Sequence, residues 1–357
     1  MTLLLLIGGL IALVAGASLL VRGASLLALS FGISPLVVGL TVVAFGTSAP
    51  EMAVSVGAVL HGQADIGVGN VVGSNIFNVL FILGISALIV PLVVHVQLIR
   101  QEVPIMVAAS VLALSLMADG RISVLEGGLM FALLIAYTAF LVVESRRETQ
   151  AAALEATGEL PTLKTGAWDA TLPVQLMLVV AGLVLLVYGS EWLVTGAVTI
   201  AKLLGVSDLV VGLTIIAMGT SMPELATSVV AAMRGERDIA VGNIVGSNIF
   251  NILGCLGLSG LVSGSTGIIV APSVLAFDIW VMLAVALACL PIFIADKEIT
   301  RWNGAMFVGY YLAYALYLVL AASHDPRLAL FSTAMLSVVI PGTIVILVAS
   351  MLRGQRS

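Results

Sequence analysis

Two stretches decide the fold: GLTVVAFGTSAPEMAVS at 39–55 and GLTIIAMGTSMPELATS at 212–228. Each is followed by a second shared stretch, GNVVGSNIFN at 69–78 and GNIVGSNIFN at 242–251. Residues 34–78 align with 207–251 at a constant offset of 173, without a gap, and 30 of the 45 positions are identical. The likeness thins outward, yet Gly16 still meets Gly189, and Arg22-Gly23-Ala24 meets Thr195-Gly196-Ala197. An internal repeat governs the reading of everything around it. Here the matching positions are the polar ones, which a mere scaffold has no need to keep.

Around these stretches the chain is almost all hydrocarbon. Of 357 residues, 61% are apolar and 9% are charged, against roughly 25% charged in soluble domains. A bilayer core about 30 Å thick takes roughly 20 apolar residues per helix. Turn residues and charges divide the runs into spans near 3–21, 33–60, 65–90, 103–118, 123–143, 174–195, 207–233, 239–262, 271–295, 301–322 and 328–352. No Lys or Arg precedes Arg22, so the first run reads as a retained helix, not a signal peptide. Five spans per repeat is an odd number, so the second copy enters the membrane upside down. The expected fold is an all-α integral membrane protein of two inverted five-helix repeats, 1–143 and 174–322. A cytoplasmic linker at 144–173 joins them, and an eleventh helix lies in 323–357. Inverted repeats are a transporter architecture, with the binding site at mid-membrane between the copies.

Orientation follows from the basic residues. With the N-terminus outside and the C-terminus in the cytoplasm, 11 of the 14 Lys and Arg fall on the inner side, leaving Arg121, Lys202 and Arg327 outside. The net charge of −5, with no basic cluster, argues against nucleic acid. Cys255 and Cys289 sit inside apolar runs and read as packing residues.

The second span is broken at Gly46-Thr47-Ser48-Ala49-Pro50-Glu51. Pro50 has no amide hydrogen, so the carbonyl of Gly46 loses its helical partner. Such a carbonyl survives in hydrocarbon only where it meets protein, water or an ion. Thr47 and Glu51 are four apart and share a face. Gly219, Thr220, Ser221, Pro223 and Glu224 repeat the arrangement. A carboxylate at the bilayer centre costs at least about 2.5–3.5 kcal/mol, so two related ones imply a positive charge between them. Ser74 with Asn78, and Ser247 with Asn251, present further oxygens from the third and eighth spans. Asn75 and Asn248 fall on a neighbouring face, where interhelical hydrogen bonding is the alternative role. Gly69, Gly73, Gly242 and Gly246 form small-residue seams for close helix approach. A ligand set of oxygens without His or Cys selects a hard cation. Ca²⁺, with six to eight oxygens in flexible geometry, suits it better than Mg²⁺, and two carboxylates balance its charge. Na⁺ also fits carbonyl and hydroxyl oxygens.

At these residues the sequence resembles the Ca²⁺/cation antiporter superfamily, in particular the prokaryotic sodium/calcium exchangers, over roughly residues 1–322. The resemblance implies a ten-helix exchanger core and antiport of Ca²⁺ against Na⁺ across the inner membrane. It places Ca²⁺ and Na⁺ on Glu51 and Glu224, and Ca²⁺ on the carbonyls of Thr47 and Thr220. It implies flanking Na⁺ positions at Ala44, Ser48 and Ser74, and at Ala217, Ser221 and Ser247. The last position of the GSNxxN segment is Asn or Asp in the family; both copies here carry Asn, Asn78 and Asn251, leaving two central carboxylates. H⁺ is the alternative coupling ion, and a cation channel or an intramembrane hydrolase is the reading from another class. No cofactor, no enzyme activity and no obligate protein partner are expected; the partners are Ca²⁺, Na⁺ and the lipid bilayer. Glu191 and Asp278 read as structural pairing groups near helix ends, and His61, His95 and His324 as surface residues.

Overall fold

A computed structural model describes residues 2–155, 169, 171–204, 215 and 217–346. Among the described residues the architecture is helical but for two short β-ribbons. The helices are α1 (Thr2–Phe31), α2 (Pro35–Thr47), α3 (Ala49–Leu60), α4 (Ala64–Ile89), α5 (Leu98–Leu116) and α6 (Val124–Glu155). After the linker come α7 (Leu172–Leu203), α8 (Met222–Met233), α9 (Arg237–Val262), α10 (Val274–Ala295), α11 (Arg301–Ala322) and α12 (Arg327–Ile346). Among the described residues nine helices are long and apolar enough to cross a membrane, and α2 with α3 makes a tenth span, bent by 44° at Ser48. The run expected to lead into α8 falls largely on residues outside the described set. The same is true of the end of the eleventh expected span and much of the linker.

Several helices overrun their expected spans. α1 continues to Phe31 and α6 to Glu155, because a helix keeps its hydrogen bonds after leaving the lipid, whereas hydropathy stops at the first charge. The linker is thus helical through Glu155. Near the other end of the linker, Asp169 is buried and paired with Arg22 of α1 at 2.5 Å.

Two short antiparallel ribbons stitch the halves together. Leu92–Val93 pairs with Glu298–Ile299, and Arg121–Ile122 with Ile268–Ile269. Each ribbon joins a loop of one repeat to the complementary loop of the other, as a pseudo-twofold axis requires. The fourth helix of each half opens on a π-helical turn ending in an acid, and a tyrosine of the fifth helix holds that acid. Tyr137 donates to Glu102 at 2.6 Å, and Tyr314 donates to Asp278 at 2.8 Å. Glu102 is fully buried and also accepts from Gln97 at 3.0 Å.

α1 and α7 run antiparallel along a glycine seam. A Cβ added at Gly16 would sit 2.8 Å from the Gly182 carbonyl, and one at Gly9 would sit 2.7 Å from the Gly189 carbonyl. Nothing larger than hydrogen fits, so the two backbones lie against each other. Gly242 and Gly246 make a similar seam against α2, where added Cβ atoms would meet the carbonyls of Leu36 and Leu40 at 2.9 and 2.7 Å. The positions equivalent to Leu36 and Leu40, Leu209 and Leu213, lie outside the described residues. α12 buries no residue against the core. It is tied by Tyr310, whose hydroxyl lies 2.6 Å from Thr343 Oγ1, and an apolar cleft of about 470 Å³ separates it from α10 and α11.

Candidate cation site

The site is built where two helices break. Pro50 and Pro223 stand in the first turns of α3 and α8 and cannot donate to the carbonyls four residues earlier. The chain leaves helical geometry at Ser48 (φ −81°, ψ 3°) and Ser221 (φ −89°, ψ 9°). It restarts with Glu51 and Glu224 in the first turn of the new helix, where the helix dipole favours a negative charge. In the second half the orphaned carbonyl has found a donor: Ser190 of α7 donates to the Gly219 oxygen at 2.5 Å. The equivalent of Ser190 in the first half is Ala17, which has no donor to offer Gly46.

The two breaks clasp each other. Ser221 donates to Glu51 Oε1 at 2.8 Å, and Ser48 donates to Glu224 Oε1 at 3.2 Å. Each carboxylate is therefore held by the serine three residues before its counterpart, which sets the two acids face to face. Ser221 Oγ also lies 3.1 Å from Ser74 Oγ, and Thr47 Oγ1 lies 3.5 Å from Ser247 Oγ. Glu51 and Glu224 are both 0% exposed. Their second oxygens, Oε2 in each, are buried with no hydrogen-bond partner, and so is Asn78 Oδ1. A buried polar atom left without a partner carries a penalty of about 1–3 kcal/mol, more when charged. Two of these three oxygens stand on the clasped acids, and unpartnered carboxylate and amide oxygens are the kind of ligand that a hard cation takes. Among the described residues no group of three or more His, Cys, Asp and Glu comes together, so negative charge for such an ion comes from this pair, with neutral oxygens around it.

The remaining candidates divide. Ser48, Ser74, Ser221 and Ser247 are all buried; Ser48 and Ser221 touch the carboxylates, Ser74 touches Ser221 and Ser247 lies against Thr47. Ala44 is buried, and its carbonyl accepts from Ser48 N at 3.0 Å; the side chain of Ala217 lies outside the described set. The hydroxyls of Thr47 and Thr220 are committed elsewhere. They donate to Asn243 Oδ1 at 3.0 Å and to Asn70 Oδ1 at 3.3 Å. Asn78 donates to Asn248 Oδ1 at 3.0 Å and Asn251 donates to Asn75 Oδ1 at 3.1 Å. Asn75 and Asn248 reach across to each other's backbone carbonyls at 3.3 and 3.4 Å. These two serve interhelical bonding, and each orients an asparagine of the opposite half.

Sequence reasoning missed Asn70, Asn243, Ser55 and Ser228. Asn243 accepts from Thr47 while donating to Ser228 Oγ at 2.9 Å and to the Glu224 carbonyl at 3.4 Å. Asn70 does the same with Thr220, Ser55 at 3.1 Å and the Glu51 carbonyl at 3.3 Å. Each asparagine spans the break of one half and the restart of the other, fixing the angle at which a carboxylate enters. The signal was available: all four are identical across the repeat.

The chain is similar to known membrane proteins over most of its length. The chain is 41% identical to the inner membrane protein YrbG of Escherichia coli, over 69% of this chain and 74% of that protein. It is 34% identical to the sodium/calcium exchanger MaX1 of Methanosarcina acetivorans, over 78% of this chain and 87% of that one. A solved structure of the sodium-calcium exchanger NCX_Mj, soaked with Na⁺ and Sr²⁺, superposes with a TM-score of 0.73 at 30% identity, covering 88% of this chain and 97% of that one. Residues 1–143 and 174–320, both halves without the linker, match the family described as sodium/calcium exchanger protein. With two inverted five-helix halves, a clasp of broken helices and both halves matched, the chain belongs to the sodium/calcium exchanger family of multi-pass membrane proteins.

Proposed function

We propose that this protein is a secondary antiporter that exports Ca²⁺ in exchange for Na⁺, the two ions competing for one mid-membrane site on Glu51 and Glu224. The observation that carries this reading is the pair of facing acids, each with one oxygen held by the other half's serine and one without a partner. Two carboxylates balance one Ca²⁺ and, equally, Na⁺ ions taken up with neutral oxygens. Occupancy by one kind of ion expels the other, and that exclusion is what couples the fluxes. Asn78 and Asn251, the carbonyls of Thr47 and Thr220, and the serines supply neutral oxygens, with Ala44, Ser48 and Ser74, and Ala217, Ser221 and Ser247, flanking the centre for Na⁺.

Access alternates as α1 and α7 move together against the remaining helices, the glycine seam keeping them one body. The protein sits in the inner membrane with its N-terminus outside and its C-terminus in the cytoplasm, the arrangement favoured by its basic residues. The test is ⁴⁵Ca²⁺ flux in proteoliposomes with Na⁺, K⁺ and H⁺ gradients imposed separately. Uptake driven by a Na⁺ gradient at fixed pH supports the proposal. Uptake driven only by a pH gradient replaces Na⁺ with H⁺, and unsaturable flux needing no counter-ion points to a channel.

A further inference from the structure

Because the halves repeat, each contact on one face of the molecule has an equivalent address on the other, 173 residues away. The two faces differ. On one, α1 packs along α8. There Arg234, the residue after α8, donates from Nη1 to the Ser18 carbonyl of α1 at 3.0 Å. The equivalent elements on the opposite face are α7 and α3, and among the described residues they do not pack along each other in this way. Val54 of α3 is 39% exposed, whereas its counterpart on α8, Thr227, is 0% exposed. The counterpart of Arg234 is His61, and that of Ser18 is Glu191. His61 is exposed at the end of α3, its Nδ1 2.7 Å from its own helix at the Gly57 carbonyl. Glu191 is exposed on α7 and makes no hydrogen bond or ion pair among the described residues.

We propose that His61 and Glu191 form the closing contact of this second face. When α1 withdraws from α8 and the Arg234–Ser18 contact parts, α7 settles along α3 and the His61 imidazole donates to the Glu191 carboxylate. The inference rests on the alternating-access reading above. Three features carry it. The glycine seam ties α1 to α7 so closely that release at one face and docking at the other are one motion. The donor position holds a nitrogen donor in both halves, Arg234 and His61, while the acceptor position changes from a backbone carbonyl to a carboxylate. An exposed pair of this kind is worth about 0.2–1 kcal/mol, weak enough to break in every cycle.

The full chain in lipid nanodiscs leaves both faces open to a hydrophilic maleimide, so the test needs no knowledge of orientation. Cys255 and Cys289 are buried, and the parent chain supplies the blank. With Thr227→Cys as reporter on the α8 face, His61→Asp is expected to slow labelling about 1.4- to fivefold, since the second face no longer closes. The exchanged pair His61→Asp/Glu191→His restores the parent rate. Labelling indifferent to His61→Asp, or still slow in the exchanged pair, overturns the proposal. A second measurement uses His61→Cys/Glu191→Cys with a short thiol cross-linker, reading linked peptides by mass spectrometry. Their yield should rise severalfold when Arg234→Ala releases the first face, and an absent or unresponsive linked peptide also overturns the proposal. Ca²⁺ flux of the parent is run alongside. A parent that carries no Ca²⁺ refutes the proposed function, while normal flux with unresponsive labelling refutes only this contact.

Discussion

Replacing Glu51 with glutamine keeps the shape of the side chain and the Ser221 hydrogen bond, but removes one of the two charges available to a cation. Removing one partner of a buried charged pair costs about 3–5 kcal/mol. Because every 1.4 kcal/mol is tenfold in affinity, Ca²⁺ binding to Glu51→Gln should weaken by about two to nearly four orders of magnitude. Glu224→Gln should behave alike, since the clasp is reciprocal. The substitution also has an opposite effect that guards against misreading a folding defect. Without ions, two acids face each other in a dry interior, and neutralising one relieves a penalty of at least about 2.5–3.5 kcal/mol on insertion scales. Thermal unfolding in Na⁺- and Ca²⁺-free buffer should therefore move upward or hold, while the upward shift that saturating Ca²⁺ gives the parent disappears. Calorimetric titration, unfolding with and without Ca²⁺, and ⁴⁵Ca²⁺ flux together read both effects. A Glu51→Gln protein that binds and carries Ca²⁺ like the parent would refute the site.

Ser190→Ala leaves the Gly219 carbonyl facing Pro223 and a methyl group, and should lower stability by about 1–3 kcal/mol, read as a fall in unfolding temperature; Ala17→Ser, which gives Gly46 a donor, should not. Gly16→Ala forces a methyl to within 2.8 Å of the Gly182 carbonyl, so overpacking should cost about 1–3 kcal/mol and slow ⁴⁵Ca²⁺ flux. Gly57→Ala is its matched control: nothing lies within 4 Å, and a helix interior gains roughly 0.5–1 kcal/mol from the change. Tyr137→Phe takes the 2.6 Å donor from buried Glu102 and should cost about 1–3 kcal/mol, measured by thermal unfolding in detergent.

What the sequence determined by itself is everything that follows from local chemistry and from the repeat. Pro50 and Pro223 each cost the preceding turn a hydrogen bond wherever they stand, because a missing amide hydrogen is a property of the residue. The apolar runs and the odd number of spans per copy give the inverted ten-helix plan, because lipid leaves the backbone few alternatives. Glu51 and Glu224 could be named for the same reason: an acid in hydrocarbon demands an explanation wherever it folds. Tertiary structure alone decided who touches whom across the halves. That Ser221 serves Glu51 while Ser48 serves Glu224, that Asn70 and Asn243 consume the threonine hydroxyls, and that Asn75 and Asn248 bond across the interface depend on how two separated segments are rotated and brought into register. No spacing within either segment encodes that rotation. The unlike faces at His61 and Arg234 lie further still from the sequence, since two nearly equal halves can take unequal positions only once α1 and α7 have settled against the rest.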